Sequence, residues 1–187
     1  MPTHTQEYQK QLEGMHANPQ WGSSSDIPNL AHKTIQTYKP ASLLDFGAGK
    51  GKVSAALQAA YPDVAVTSYE PARGDVLPDA VDMTFSKDVL EHIEPDQLEF
   101  VLYDLHQRTA TVHYHLIACH KAHHYLPDGR NCHLIVETPD WWQRLFRGLG
   151  YEILDEHVWG DIKHPAGKQS IATVKYECVL RGRNMKR

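Results

Sequence analysis

Cysteine is scarce: of 187 residues only Cys119, Cys132 and Cys178 carry a thiol. An odd number with no Cys-x-x-Cys spacing gives no disulfide framework and suits buried thiols in a reducing compartment. Long hydrophobic runs are also missing. The apolar stretches are short and broken by His, Lys or Asp, so no segment is expected to span a bilayer. The N-terminus, Met1-Pro2-Thr3-His4-Thr5, lacks the charged and apolar regions of a signal peptide, which leads to the expectation of a cytoplasmic protein. Positive charge is not in excess, since 19 Lys and Arg face 23 Asp and Glu for a net −4, and the one dense basic run is Arg181 to Arg187. Proteins that grip long duplex DNA draw most of their non-specific affinity from neutralised phosphates, so nucleic acid is not favoured as a partner. Repeats and low-complexity segments are absent as well.

What is present is an ordinary globular mixture, 41% hydrophobic and 22% charged, enough to fill one core at this length. One domain over residues 1–187 is therefore expected. Thirteen histidines stand out. They titrate at about 6.5 when unperturbed, so the net charge should move between pH 6 and 7.

The order of elements is informative. Residues 4–15 read as a short polar helix, Trp21 to Ser25 as a loop, and Asp26 as a cap for a helix to about Tyr38 with Pro28 near its start. Ser42 to Phe46 is a buried strand, followed by glycines and an Ala/Leu-rich helix from about Lys50 to Ala60. A second strand, Val64 to Tyr69, ends on Glu70; Val81 to Ser86 makes a third, Pro95 to Arg108 a helix and Thr111 to Cys119 a fourth strand. Strands separated by helices imply a parallel sheet with crossover connections. Thr138 or Asp140 caps a helix to about Gly148, and the strands Tyr151 to Trp159 and Ser170 to Leu180, joined through His164-Pro165-Ala166-Gly167, form an antiparallel hairpin at one edge. The fold class expected is α/β: a Rossmann-like, mainly parallel sheet with helices on both faces and an antiparallel C-terminal hairpin. The helices in residues 1–40 are expected to cover the site at its edge.

Gly47-x-Gly49-x-Gly51 is what a strand-to-helix turn needs if backbone is to approach a ligand, because glycine tolerates positive φ and has no Cβ to collide. Alone it equally fits an NAD-binding or flavodoxin-like turn, or merely a tight loop. Its context adds weight, since an apolar strand precedes it, a helix follows, and an acid, Glu70, ends the next strand, suited to two ribose hydroxyls. Asp45 sits two positions before the first glycine, where a carboxylate would repel a pyrophosphate but suit a cationic sulfonium bearing an ammonium group.

The string Leu43-Leu44-Asp45-Phe46-Gly47-Ala48-Gly49-Lys50-Gly51 closely resembles the first motif of class I S-adenosylmethionine-dependent methyltransferases. Tyr69-Glu70-Pro71 resembles their ribose-binding acid, and Ser86-Lys87-Asp88-Val89-Leu90-Glu91-His92-Ile93 matches a third motif in the same order. The resemblance spans roughly residues 40–160 and is similar in particular to small phage and bacterial members. It implies S-adenosyl-L-methionine as cofactor, bound by Asp45, Phe46, Gly47, Ala48, Gly49, Glu70, Pro71, Lys87 and Asp88. One departure is plain: about a dozen residues separate Glu70 from Asp82, too few for the helix and strand whose loop usually contacts adenine, so the sheet is expected to be trimmed there and no adenine contact is assigned.

Asp88, Glu91 and His92 fall at i, i+3 and i+4 and would share one face of a helix, although such residues also simply cap or pair on a surface. Further on, Leu126 to His133 is dense in turn formers, with Pro127-Asp128-Gly129 read as a surface turn and Arg130 and Asn131 as substrate-binding candidates beside the apolar run Leu134 to Val136. His92 and His133 are the candidate general bases. Asp88, Glu91, His92 and His133 together resemble the divalent-metal site of small-RNA 2'-O-methyltransferases, with Asp88 where that family has Glu, and are chemically adequate for Mg²⁺, Mn²⁺ or Fe²⁺. On the fourth strand His113 and His115 share a face opposite Val112, Tyr114 and Leu116, which reads as a two-faced strand with one more polar side and not as a metal cluster. Trp141 and Trp142 are expected to open a helix whose Leu145 and Phe146 are core. The expected activity is methyl transfer to an oxygen or nitrogen of a small molecule or nucleotide; the alternatives are a metal-assisted nucleic-acid 2'-O-methyltransferase and a non-catalytic cofactor-binding protein.

Overall fold

The computed structural model describes residues 4–17, 24–160 and 173–183. Two helices, α1 (Gln6–His16) and α2 (Asn29–Tyr38), precede the sheet. Then come β1 (Ser42–Phe46), α3 (Lys52–Ala60), β2 (Ala65–Tyr69), β3 (Val81–Lys87), α4 (Pro95–Arg108), β4 (Thr109–Ala118), α5 (Pro139–Gly148), β5 (Tyr151–Trp159) and β6 (Lys175–Gly182). The six strands lie in the order β2-β1-β3-β4-β6-β5. The first four are parallel, while β6 runs antiparallel to both β4 and β5. The Rossmann-like α/β fold with an antiparallel end is therefore as expected. The expected connecting turn, His164 to Gly167, lies outside the described residues.

Strand alternation divides the core into two layers. Leu43, Met83, Phe85, Val112, Tyr114 and Leu116 face α2 and α3 through Ala31, Ile35, Val53 and Leu57. Leu44, Ile117 and Cys178 face α4 and α5 through Leu102, Leu105, Trp142 and Phe146. Burying both faces of parallel strands is what crossover helices impose. On β4, His113 and His115 share a face as expected, and that more polar face is itself fully buried, with His115 stacked 6.0 Å from Phe146 of α5.

The local signals at helix ends hold in part. Thr138 caps α5, its hydroxyl accepting from Trp141 N at 3.3 Å. Asp26 caps nothing; the residue before α2 is Pro28, and no side-chain cap bond is made there. The predicted helical face through Asp88, Glu91 and His92 does not form either. Asp88 takes φ +54 and is followed by a single 3-10 turn, Leu90–His92, so i, i+3, i+4 spacing does not govern where these side chains go. The trimming expected between Glu70 and Asp82 is present: one 3-10 turn, Pro71–Arg73, spans the connection, and β2 is left as the sheet edge. Of the cysteines, Cys132 and Cys178 are buried and Cys119 is half-buried.

Candidate active site

The carboxyl ends of the parallel strands open on one edge of the sheet, where ligands bind in such folds. There β1 delivers Asp45, 2% exposed, and the Ser54 hydroxyl of α3 donates to its Oδ2 at 2.5 Å. Burial raises the Asp45 pKa to about 6, offset in part by the Ser54 bond and by Arg73. The glycine loop follows, with Gly47, Gly49 and Gly51 at φ +75, +53 and +73. Gly47 and Ala48 donate their N–H groups to Tyr69 O at 2.8 and 2.9 Å, which pins the loop to the end of β2. A Cβ at Gly47 would lie 2.5 Å from Val89 Cγ1, so glycine is required there by both φ and space.

Glu70, 5% exposed, accepts from Gly49 N at 2.9 Å and from Ala72 N at 3.1 Å, with His16 Nε2 3.6 Å away. The loop and the acid thus form one rigid unit. Arg73, which the sequence reading passed over, donates to Gly49 O and to Ser68 Oγ and is paired with Asp75. Lys87 Nζ bonds Ser24 Oγ at 2.7 Å and Asp26 O at 3.0 Å; Asp88 Oδ1 accepts from Lys175 Nζ at 2.6 Å.

These side chains surround a cavity of 460 Å³. Every residue predicted for the cofactor, Asp45 to Gly49, Glu70, Pro71, Lys87 and Asp88, lines it, as do His92 and His133. Arg130 and Asn131 do not. The Arg130 guanidinium is held by Asp128 at 2.7 Å, and the Asn131 side-chain amide is spent on the backbone N and O of Ala122, both at 2.9 Å. Both side chains serve the loop's own fold, and the structure does not bring them to the cavity with the other expected site residues. In their place His120, His123 and His124 line the cavity, residues whose individual roles nothing in the sequence distinguished.

Beyond Asp88 the rings of His92 and His133 meet edge to face with centroids 4.8 Å apart. Their Nδ1 atoms contact backbone carbonyls, Cys132 O at 2.8 Å and His120 O respectively. A carbonyl only accepts, so each Nδ1 carries the proton and the lone pair of each neutral ring is on Nε2. Burial lowers the His92 pKa to about 4 and lowers that of His133 as well, so both rings are neutral at pH 7. Glu91 is fully buried beside them. Its Oε1 accepts from Ala118 N at 2.9 Å, its Oε2 has no partner among the described residues, and burial raises its pKa. One ligand atom each from Glu91, His92 and His133 lies within 4.8 Å of the others. Asp88, paired with Lys175, is not part of that group, and the predicted set of four is reduced to three.

No protein-family profile matches the chain, and no curated protein matches it. Solved structures do. The DhpI complex with S-adenosylhomocysteine is 16% identical with a TM-score of 0.57, covering 96% of this chain and 95% of that one. The 1,6-didemethyltoxoflavin-N1-methyltransferase of Burkholderia thailandensis, bound to 1,6-didemethyltoxoflavin and S-adenosylhomocysteine, is 15% identical with a TM-score of 0.61 over 94% of this chain and 89% of that one. TehB from Haemophilus influenzae is 13% identical with a TM-score of 0.53 over 85% and 63%. At these identities the likeness is one of fold, and among the described residues no helix is long and apolar enough to cross a membrane.

Proposed function

We propose that the protein is an S-adenosylmethionine-dependent methyltransferase acting on an oxygen or nitrogen of a small molecule or nucleotide. The observation that carries this reading is the pair of buried acids, Asp45 and Glu70, at the ends of adjacent strands with the glycine loop between them. The donor set fits this cofactor: a buried carboxylate seeks a cation, Glu70 can receive ribose hydroxyls, and the loop at Gly49 offers backbone without side-chain bulk. A dinucleotide would place its pyrophosphate near Asp45, against like charge. The cofactor supplies an electrophilic methyl group on a cationic sulfur. The chain's part is to hold an acceptor in line with it and take up the acceptor's proton, a role this reading gives to His92 or His133. That one fold neighbour is an N1-methyltransferase bound to 1,6-didemethyltoxoflavin and S-adenosylhomocysteine supports the same reading.

Calorimetry with S-adenosylmethionine and with NAD tests the reading, and tight NAD binding without the other ligand would overturn it. Asp45→Ala and Glu70→Ala are each expected to weaken S-adenosylmethionine binding by about 1.5–3 kcal/mol, roughly tenfold or more. If both variants stay folded and bind as the parent does, the cofactor assignment fails. Because the Asp45 pKa is about 6, the carboxylate gains a proton as pH falls through 6 and its attraction for a cation goes with it. Affinity is expected to drop below pH 6 in the parent and to show a flatter profile in Asp45→Asn.

A second reading, metal-assisted 2'-O-methylation of nucleic acid, is favoured by the Glu91, His92 and His133 grouping. One carboxylate and two imidazoles form a donor set that Mn²⁺, Fe²⁺ or Mg²⁺ would accept, with each ring oriented by its Nδ1 contact with a carbonyl. Chelation decides between the two. A loss of turnover in EDTA that Mn²⁺ restores selects the metal reading, and turnover untouched by EDTA removes it.

A further inference from the structure

We propose that α1 forms the wall against the nucleoside end of the cofactor, replacing a part of the sheet that this chain lacks. The inference rests on the methyltransferase reading above. If Glu70 receives the ribose, the attached base must lie beyond the end of β2, and there the fold has little to offer. β2 is the edge strand. The connection that follows carries one 3-10 turn, and of it Pro71 alone lines the cavity among the described residues. Arg73 is turned back onto Gly49 O and Ser68, and the Asp75 carboxylate accepts from Glu70 N at 2.9 Å. A flat purine would find one apolar face and no second.

α1 supplies the missing face. Tyr8, Leu12 and His16 are spaced i, i+4, i+8, lie on one side of the helix and line the same cavity. Leu12 is 9% exposed and shares a cluster with Tyr8, Leu126 and Cys132, against which Met15 and Ala72 pack. That places the helix directly over the turn that follows Glu70. His16 Nε2 stands 3.6 Å from Glu70 Oε1, so this ring flanks the acid assigned to the ribose. The helix is moored by Thr5 to Glu94 at 2.8 Å, by the Tyr8 hydroxyl to His92 O at 2.6 Å and by Lys50 Nζ to the His16 carbonyl at 2.9 Å. At 11 residues it is below the length of about 12–15 at which helices become even marginally stable alone, so it depends on what it packs against. A purine under Leu12 would be part of that support.

The test uses the full-length chain with S-adenosylhomocysteine and adenosine as probes, read by calorimetry and amide hydrogen exchange. Saturating S-adenosylhomocysteine is expected to slow exchange across α1 about tenfold or more. Leu12→Ala and His16→Ala, checked for unchanged circular dichroism, are expected to weaken S-adenosylhomocysteine about tenfold each, and Leu12→Ala to weaken adenosine by a similar factor. If the parent binds S-adenosylhomocysteine while α1 exchange is unaffected and both variants bind as the parent does, the α1 assignment is overturned and the cofactor reading stands. A parent that binds neither S-adenosylmethionine nor S-adenosylhomocysteine overturns both.

Discussion

Between pH 7 and pH 5 the protein is expected to lose about 4 kcal/mol of stability through two rings, His113 and His115. Both are fully buried on β4. His115 Nδ1 bonds Ser86 Oγ at 2.7 Å, and its ring lies parallel to Phe146. His113 meets the Tyr151 ring edge-on at 5.1 Å, and neither of its nitrogens has a partner among the described residues. Burial holds His115 down to about 3 and His113 well below its ordinary value, helped by the neighbouring His115 and His106. In the unfolded chain both rings take a proton near 6.5. The unfolded state therefore binds more protons below that pH, so the stability these rings permit is full above 6.5 and declines as the solution is acidified. The slope approaches about 1.4 kcal/mol per pH unit per ring once the pH is well below 6.5, which gives about 2 kcal/mol each between pH 7 and pH 5. Urea unfolding at pH 7 and pH 5 measures it. Because burial raises the Asp45 and Glu91 pKa values, which act in the opposite sense, the contribution of the rings is read as the difference between the parent and His113→Gln/His115→Gln; an equal pH dependence in the two would show that the rings are solvated in the fold.

The second large effect concerns the acceptor end of the cavity. His133→Ala is expected to lower turnover about 10²-fold or more with little change in cofactor affinity, and His133→Gln should not restore it. The ring is positioned through its Nδ1 contact with His120 O, edge to face with His92, so its removal deletes one Nε2 lone pair and leaves the glycine loop untouched. If the ring ligates a metal, the loss should come with weaker metal binding and be partly relieved by excess Mn²⁺. Unaltered turnover in His133→Ala would exclude both roles.

The parallel half of the sheet was legible because each strand is a short apolar run bounded by glycine, proline or charge, and because Asp45 and Glu70 sit at strand ends, where backbone direction alone carries them to the ligand edge. Other features were not legible, for reasons that are local or distant. That His113 and His115 share the more polar face of their strand is legible, but that this face is fully buried appears only once α5, more than twenty residues later, is laid over it. Asp88, Glu91 and His92 have helical spacing, but the left-handed backbone at Asp88 breaks the period. Arg130 and Asn131 have the chemistry of ligand contacts, yet their partners are two and nine residues away in their own loop, and no composition rule anticipates that. Helices in residues 1–40 were expected over the site, but α1 is polar along most of its length, so which of its residues line the cavity, Tyr8, Leu12 and His16, was not legible.

The loop between β4 and α5 is stapled to itself before it is attached to anything else. Asn131 bonds Ala122 through both ends of its amide, Cys132 N reaches His124 O, and the turn at Leu126 to Arg130 closes on its own backbone. Its roots are Cys119 N on Val174 O and Ile135 N on Glu91 O. All of His120, His123, His124 and His133 travel with it, and none of Asp45, Glu70 or the glycine loop does. Four of the histidines that line the cavity are thus held by one contiguous, self-braced stretch, and the residues proposed for the cofactor by a separate part of the chain, so the two ends of the cavity are built independently in sequence although α1 touches both.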